Sequence, residues 1–286
     1  MVVAPGRYVE CAVVKSGRFA IRAVIYFAIW IGVSSFLNRS SLQQDRTRDE
    51  SLAARRTNVS APAIVVFVIS ITFAFTDWAM SLDPHWHSTI FGIYFLVGQG
   101  LSALALCTLL VTLMAARRPY TEIVTPQLTR DLGNLLLAFT MLWAYISLSQ
   151  FLIIWSGNLP EEVTFYTNRL KGGWWYMGTF LVVSQFFVPF LLLLSGRTKR
   201  TPGFLAGVAG FILAIRIVDI FWTIVPFFGG AGQPLPFRIH WLDFAAFAGM
   251  GGVWLAVWAT QLRRSGLLPS HDPRLVIPSQ EALEHA

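Results

Sequence analysis

Residues 203–225 read GFLAGVAGFILAIRIVDIFWTIV. A helix that crosses a bilayer needs roughly 20 mostly apolar residues. This run supplies them, with Arg216 and Asp219 as its only charges. Six further segments have the same character: 19–37, 61–82, 89–115, 132–155, 173–194 and 244–262. Each is bounded by charge, proline or both. None alternates with period two, which disfavours a transmembrane β-barrel. The first apolar run is too long for a cleavable leader and lacks a small-residue cleavage site. The expected fold is an all-α polytopic membrane bundle of about seven spans, with an outer segment 1–18, a transmembrane domain 19–262 and a cytoplasmic tail 263–286.

Composition agrees. Of 286 residues, 55% are apolar and 13% charged, and the mean hydropathy is +0.58. Soluble domains carry about 25% charged residues. The net charge of +7 therefore reads as loop charge beside a membrane, with no nucleic acid expected as a partner. The two cysteines, Cys11 and Cys107, form no CxxC, CxxCH or Cys/His spacing. Iron–sulfur, c-type haem and structural zinc sites within the chain are not expected.

Lys and Arg are unequal on alternate sides. One side holds Arg39, Arg46, Arg48, Arg55, Arg56, Arg117, Arg118, Arg130, Arg197, Lys199, Arg200, Arg263, Arg264 and Arg274. The other holds Arg7, Lys15, Arg18, Arg169, Lys171 and Arg238. The richer side is expected to be cytoplasmic, which puts the start of the chain outside and its end inside. Lys15 and Arg18, just before the first span, pull against this orientation. Helices upstream in relatives would resolve that conflict. The loop 38–60 reads as polar and flexible.

Charges inside a bilayer are functional candidates by default. Arg216 and Asp219, at i,i+3, share one helix face and can pair; Ile212 and Thr223 extend the stripe. The pair reads equally well as a structural lock and as a proton relay or ligand contact. The outer half also carries Arg22, Asp77, Tyr94, Tyr145, Ser149, Gln150 and Asp243, with Asp83, His85 and His87 in an outer loop and His240 in another. The proton-relay candidates are Asp219, Arg216, Asp77, Tyr145 and Asp243. The outer-loop ligand or docking candidates are Asp83, His85, His87 and His240. The bland reading of the 83–87 loop is an interfacial turn begun by Asp83-Pro84 and anchored by Trp86. His85 and His87, at i,i+2, cannot be the two axial ligands of one haem, and no metal site is assigned. Gln99 and Gln185 lie near midplane, and Pro189 suggests a kink. Trp78, Trp86, Trp155, Trp174, Trp175, Trp222 and Trp241 read as the outer aromatic belt. The pairs Gly203/Gly207, Ala245/Gly249 and Ala248/Gly252 read as permitting close helix contacts within the chain or with another subunit. No Ser/His pair or carboxylate pair suggests a self-contained active site.

Three strings are distinctive: IRAVIYFAIW at 21–30, TDWAMSLDPHWHSTIFG at 76–92 and LWAYISLSQFLIIWSGNLPEE at 142–162. They resemble the F-type membrane subunit (ActF) of bacterial alternative complex III, a quinol:cytochrome c or quinol:electron-acceptor oxidoreductase, within the NrfD/polysulfide-reductase membrane-anchor group. The resemblance implies spans built around four-helix bundles, more of them than this chain has, so the chain reads as N-terminally shortened. It implies no cofactor in this chain, with quinone or quinol nearby. It also implies a companion NrfD-like quinol-oxidising membrane subunit and periplasmic subunits carrying iron–sulfur clusters and c-type haems. The role implied is assembly and proton translocation. The alternative is a secondary transporter or proton-conducting protein acting alone.

Overall fold

The computed structural model describes residues 6–83, 86–117, 120–229 and 236–264. Every regular element among them is helical. Seven helices are long and apolar enough to cross a membrane, and this is a multi-pass membrane protein. The described residues fall into two compact units: one runs to Asp77 and resumes at Ile239, the other runs from Trp78 to Arg238.

The first unit is built on a hairpin of α1 (Gly6–Thr47) and α2 (Ser51–Trp78). Its antiparallel register is visible in the cross-links. The Arg22 Nε and Tyr26 hydroxyl groups donate to Asp77 Oδ2 at 2.6 and 2.8 Å. Further along, Trp30 Nε1 donates to Ser70 Oγ at 2.9 Å, and Arg56 Nη1 to the Ser40 carbonyl at 3.3 Å. The expected flexible loop 38–60 is instead almost wholly helix. Its Leu, Gln, Arg and Ala residues are good helix formers, so the polarity marks where the chain leaves the apolar layer and not where the helix ends. The turn itself is short: Arg48 takes a left-handed φ of 55°. Asp49 then accepts the Ser51 N–H at 2.9 Å; the Ser51 hydroxyl first, and this N–H second, hold its carboxyl below the usual range.

This unit also contains α11 (Trp241–Arg264). Its start is a reciprocal cap: His240 Nδ1 accepts the Leu242 N–H at 3.2 Å, and Asp243 Oδ2 accepts the His240 N–H at 2.9 Å. This is the logic of a capping box, with histidine in place of Ser or Thr.

The second unit is a four-helix bundle. Its members are α3 (Phe91–Met114), α5 (Pro126–Gly157), the rod made by α7 (Trp174–Leu181) and α8 (Val188–Leu194), and α10 (Pro202–Ile224). Short helices α4 (Tyr120–Ile123), α6 (Thr164–Leu170) and α9 (Gly196–Arg200) serve the connections. Helix α3 packs on α10 and α5, and α5 packs on α8. Leu101, Ala105, Leu136, Leu205, Ala209 and Ile212 are fully buried along that core. Apolar side chains such as Leu148, Leu191 and Phe204 stay exposed, as a lipid-facing surface requires.

The interruption expected at Pro189 takes the form of a π turn, Val182–Phe187, between α7 and α8. Proline has no N–H for the carbonyl one turn back, and a widened turn is one way a helix absorbs that loss.

One packing expectation is overturned, and another is not met within the chain. Trp86 and Trp174, assigned to the aromatic belt, are 2% and 0% exposed. Trp86 Nε1 donates to the Glu162 carbonyl at 3.0 Å, and its ring meets Phe91 and Phe165 at 4.9 and 4.7 Å. A buried indole that finds an acceptor behaves as core. The small-residue pairs make no close contact among the described residues: a Cβ added at Gly203, Gly207, Gly249 or Gly252 would meet nothing within 4 Å. The tight glycines are Gly98, Gly100 and Gly133, whose added Cβ atoms would press on Arg216, Phe139 and Lys199.

Candidate functional site

Helix α10 carries its two charges into the bundle because Ile212, Arg216, Asp219 and Thr223 fall on one face, all buried. Arg216 is 3% exposed and Asp219 2%. They form an ion pair through Arg216 Nη1 and Asp219 Oδ2. Tyr94, in the first turn of α3, reaches across and donates to Asp219 Oδ1 at 2.6 Å. A tyrosine has one proton to give. The 3.2 Å contact between the Tyr94 and Thr223 oxygens is therefore a hydrogen bond only when Thr223 donates, in competition with its 2.8 Å bond to the Asp219 carbonyl.

The guanidinium continues the chain toward midplane. Arg216 Nε lies 3.4 Å from Ser102 Oγ, which donates in turn to the Gly98 carbonyl at 2.8 Å. Gly98 makes the arrangement possible: a Cβ there would sit 2.7 Å from Arg216 Cζ. On the α5 side, Trp143 lies beside Asp219, with its Nε1 near that carboxylate but outside hydrogen-bond geometry with any described residue.

A second buried cation caps this cluster. Arg169, on α6, is 2% exposed. It donates to the carbonyls of Phe165 at 2.7 Å, Trp222 at 3.2 Å and Thr223 at 2.5 Å. The last two are end-of-helix acceptors of α10, where a cation is favoured. Its guanidinium carbon stands 3.5 Å above the Phe165 ring and 4.9 Å from that of Phe227, so cation–π attraction replaces the water it has lost. Burial pulls Arg169 down to about 9, which leaves it cationic at neutral pH. Arg169 was read in the sequence only as loop charge. Its spacing from Phe165, one helical turn back in an aromatic-rich segment, was the available signal.

The other candidates divide. Asp77 is committed to Arg22 and Tyr26 in the α1–α2 hairpin. Asp243 and His240 are committed to the α11 cap. Tyr145 is 66% exposed on the outer face of α5, so it does not join the cluster. Asp83 is half-buried, and its carbonyl accepts the Trp86 N–H at 3.2 Å. His87 is exposed. His85 lies outside the described residues. The structure thus brings together Arg216 and Asp219, and adds Tyr94, Thr223, Ser102 and Arg169.

Gly98→Ala should push the guanidinium off its seat and lower thermal stability in detergent by about 1–3 kcal/mol. Gly207→Ala, with open space around it, is the control and should be neutral or slightly stabilising. Equal behaviour of the two variants would contradict the close fit.

The chain matches no known family model and no curated protein.

Proposed function

We propose that this chain is a non-haem integral membrane subunit of a respiratory quinol-oxidising complex, supporting assembly and carrying a proton step at the Arg216–Asp219–Tyr94 cluster. The observation that carries the reading is the cluster itself: an ion pair buried in a bundle core, bonded to a tyrosine. Charge at such depth is costly and is characteristic of proton and ligand pathways. The three quoted strings, with their resemblance to the alternative complex III subunit, supply the context. In this reading the arginine-rich ends face the cytoplasm of a bacterial inner membrane, and the C-terminus lies inside. The partners are a companion quinol-oxidising membrane subunit and periplasmic iron–sulfur and c-type haem subunits.

The chemistry sets a condition. Arg216 is held in an ion pair with the Asp219 carboxylate in the bundle core. For Asp219 to take up a proton, Arg216 must swing away from it. Tyr94 can then pass or receive the proton at Oδ1, and Ser102 can hold the displaced guanidinium. Asp219→Asn keeps the shape and removes the carboxylate. In the assembled complex it should lower the protons moved per electron while quinol oxidation continues, or leave the complex unassembled. Normal turnover with normal proton stoichiometry would count against the role.

One observation favours the transporter alternative. Gln185 is fully buried within the π turn, and both of its amide atoms lack partners among the described residues. Interrupted helices with free polar groups are what a midplane solute site would use. Solute uptake by liposomes holding only this chain would support that reading over the first.

A further inference from the structure

A cavity opens between α1 and α2 where the hairpin leaves its apolar stretch. It measures about 340 Å³ and lies wholly within the hairpin, at the small end of the range for ligand sites. Phe36 and Leu52 form its apolar wall; Ser35, Ser40, Arg39 and Arg55 supply the polar side. Ser40 is 6% exposed, and its Oγ has no hydrogen-bond partner among the described residues. A buried, unanswered hydroxyl lining a cavity is a donor waiting for an acceptor. Neither Arg39 nor Arg55 makes an ion pair among the described residues. Arg55 is held over the Phe36 ring at 5.4 Å, which positions its guanidinium without neutralising it. The nearby Asp49 carboxylate is used at the start of α2.

We infer that this cavity binds the phosphodiester headgroup of an anionic phospholipid. Two guanidinium groups and a hydroxyl match the oxygens of a phosphate, and arginine's planar fork suits that geometry better than lysine would. The level is right for a lipid: the site lies where apolar helix gives way to arginine-rich helix. Above it Ile31, Val24, Ile64 and Phe73 expose 59–67% of their surface, a track on which acyl chains can lie. A basic pocket between helices at a membrane face is a recurrent headgroup site. The inference uses the orientation proposed above only to assign the lipid to the inner leaflet; binding itself needs neither that nor any partner subunit.

The test is native mass spectrometry of the full chain, released from detergent and titrated separately with phosphatidylglycerol, phosphatidylcholine and inorganic phosphate. Phosphatidylglycerol should fill one saturable site at least roughly tenfold more tightly than phosphatidylcholine. Arg39→Gln/Arg55→Gln should abolish that preference, while Arg197→Gln/Arg200→Gln, with the same loss of charge elsewhere, should keep it. Equal binding of the two lipids overturns the inference, as does a preference that survives the first double variant. Phosphate competing at equal strength makes this a soluble-anion site and overturns the lipid assignment. If the double variant does not fold, Ser40→Ala decides: it should weaken phosphatidylglycerol severalfold with the circular dichroism spectrum unchanged, and undiminished binding counts against the site.

Discussion

Asp219→Ala should destabilise the protein by roughly 3–5 kcal/mol, because it leaves the Arg216 guanidinium buried without a counter-charge. Arg216 is 3% exposed, so water cannot replace the lost carboxylate. Tyr94 loses its acceptor in the same step. Thermal unfolding in detergent would read this as a large drop, and expression would fall with it. Arg216→Leu/Asp219→Leu removes both charges and should recover most of the loss, since a well-packed apolar pair often equals a buried ion pair. If Asp219→Ala unfolds like the wild type, the pair is not locked in the core. If the double variant is as unstable as the single one, packing and not charge compensation sets the cost.

Arg169→Met should be nearly as damaging, at about 3 kcal/mol, because hydrogen bonds to a charged group contribute about 1.5–3 kcal/mol each and are not additive. The substitution strands the Trp222 and Thr223 carbonyls at the buried end of α10 and the Phe165 carbonyl on α6. Arg169→Lys should not rescue it. An ammonium is a point charge that cannot reach three separated carbonyls or lie flat on the Phe165 ring as the guanidinium does. Chemical denaturation of the three proteins in one detergent is the measurement. A lysine variant as stable as the wild type would show that position 169 needs only a positive charge.

These two arginines show what could be read in the sequence and what could not. The spans were legible because the bilayer demands long apolar runs: 173–194 was read where Trp174–Leu194 is found, and 89–115 where Phe91–Met114 is found. The Arg216–Asp219 pair was legible because helical spacing puts i and i+3 on one face. Tyr94 as the third member was not, because α3 meets α10 only through bundle packing that hydropathy does not encode. Arg169 was hidden for a related reason. In sequence it is one loop cation among several, and only the fold wraps Phe165, Phe227 and the end of α10 around it. The helices through 38–60 are not legible in the sequence because a polar run looks the same in a water-exposed helix and in irregular backbone. Trp86 and Trp174 were misplaced because an interfacial tryptophan and a core tryptophan look alike until their neighbours are known.

The most direct measurement is a mild-detergent purification of the tagged chain from its native membrane, followed by mass spectrometry and a reduced-minus-oxidised haem spectrum. A membrane subunit of a quinol-oxidising complex should bring with it a companion membrane subunit and iron–sulfur and c-type haem proteins, and the sample should show a c-type haem spectrum. A folded, colourless chain recovered alone would contradict the proposed function.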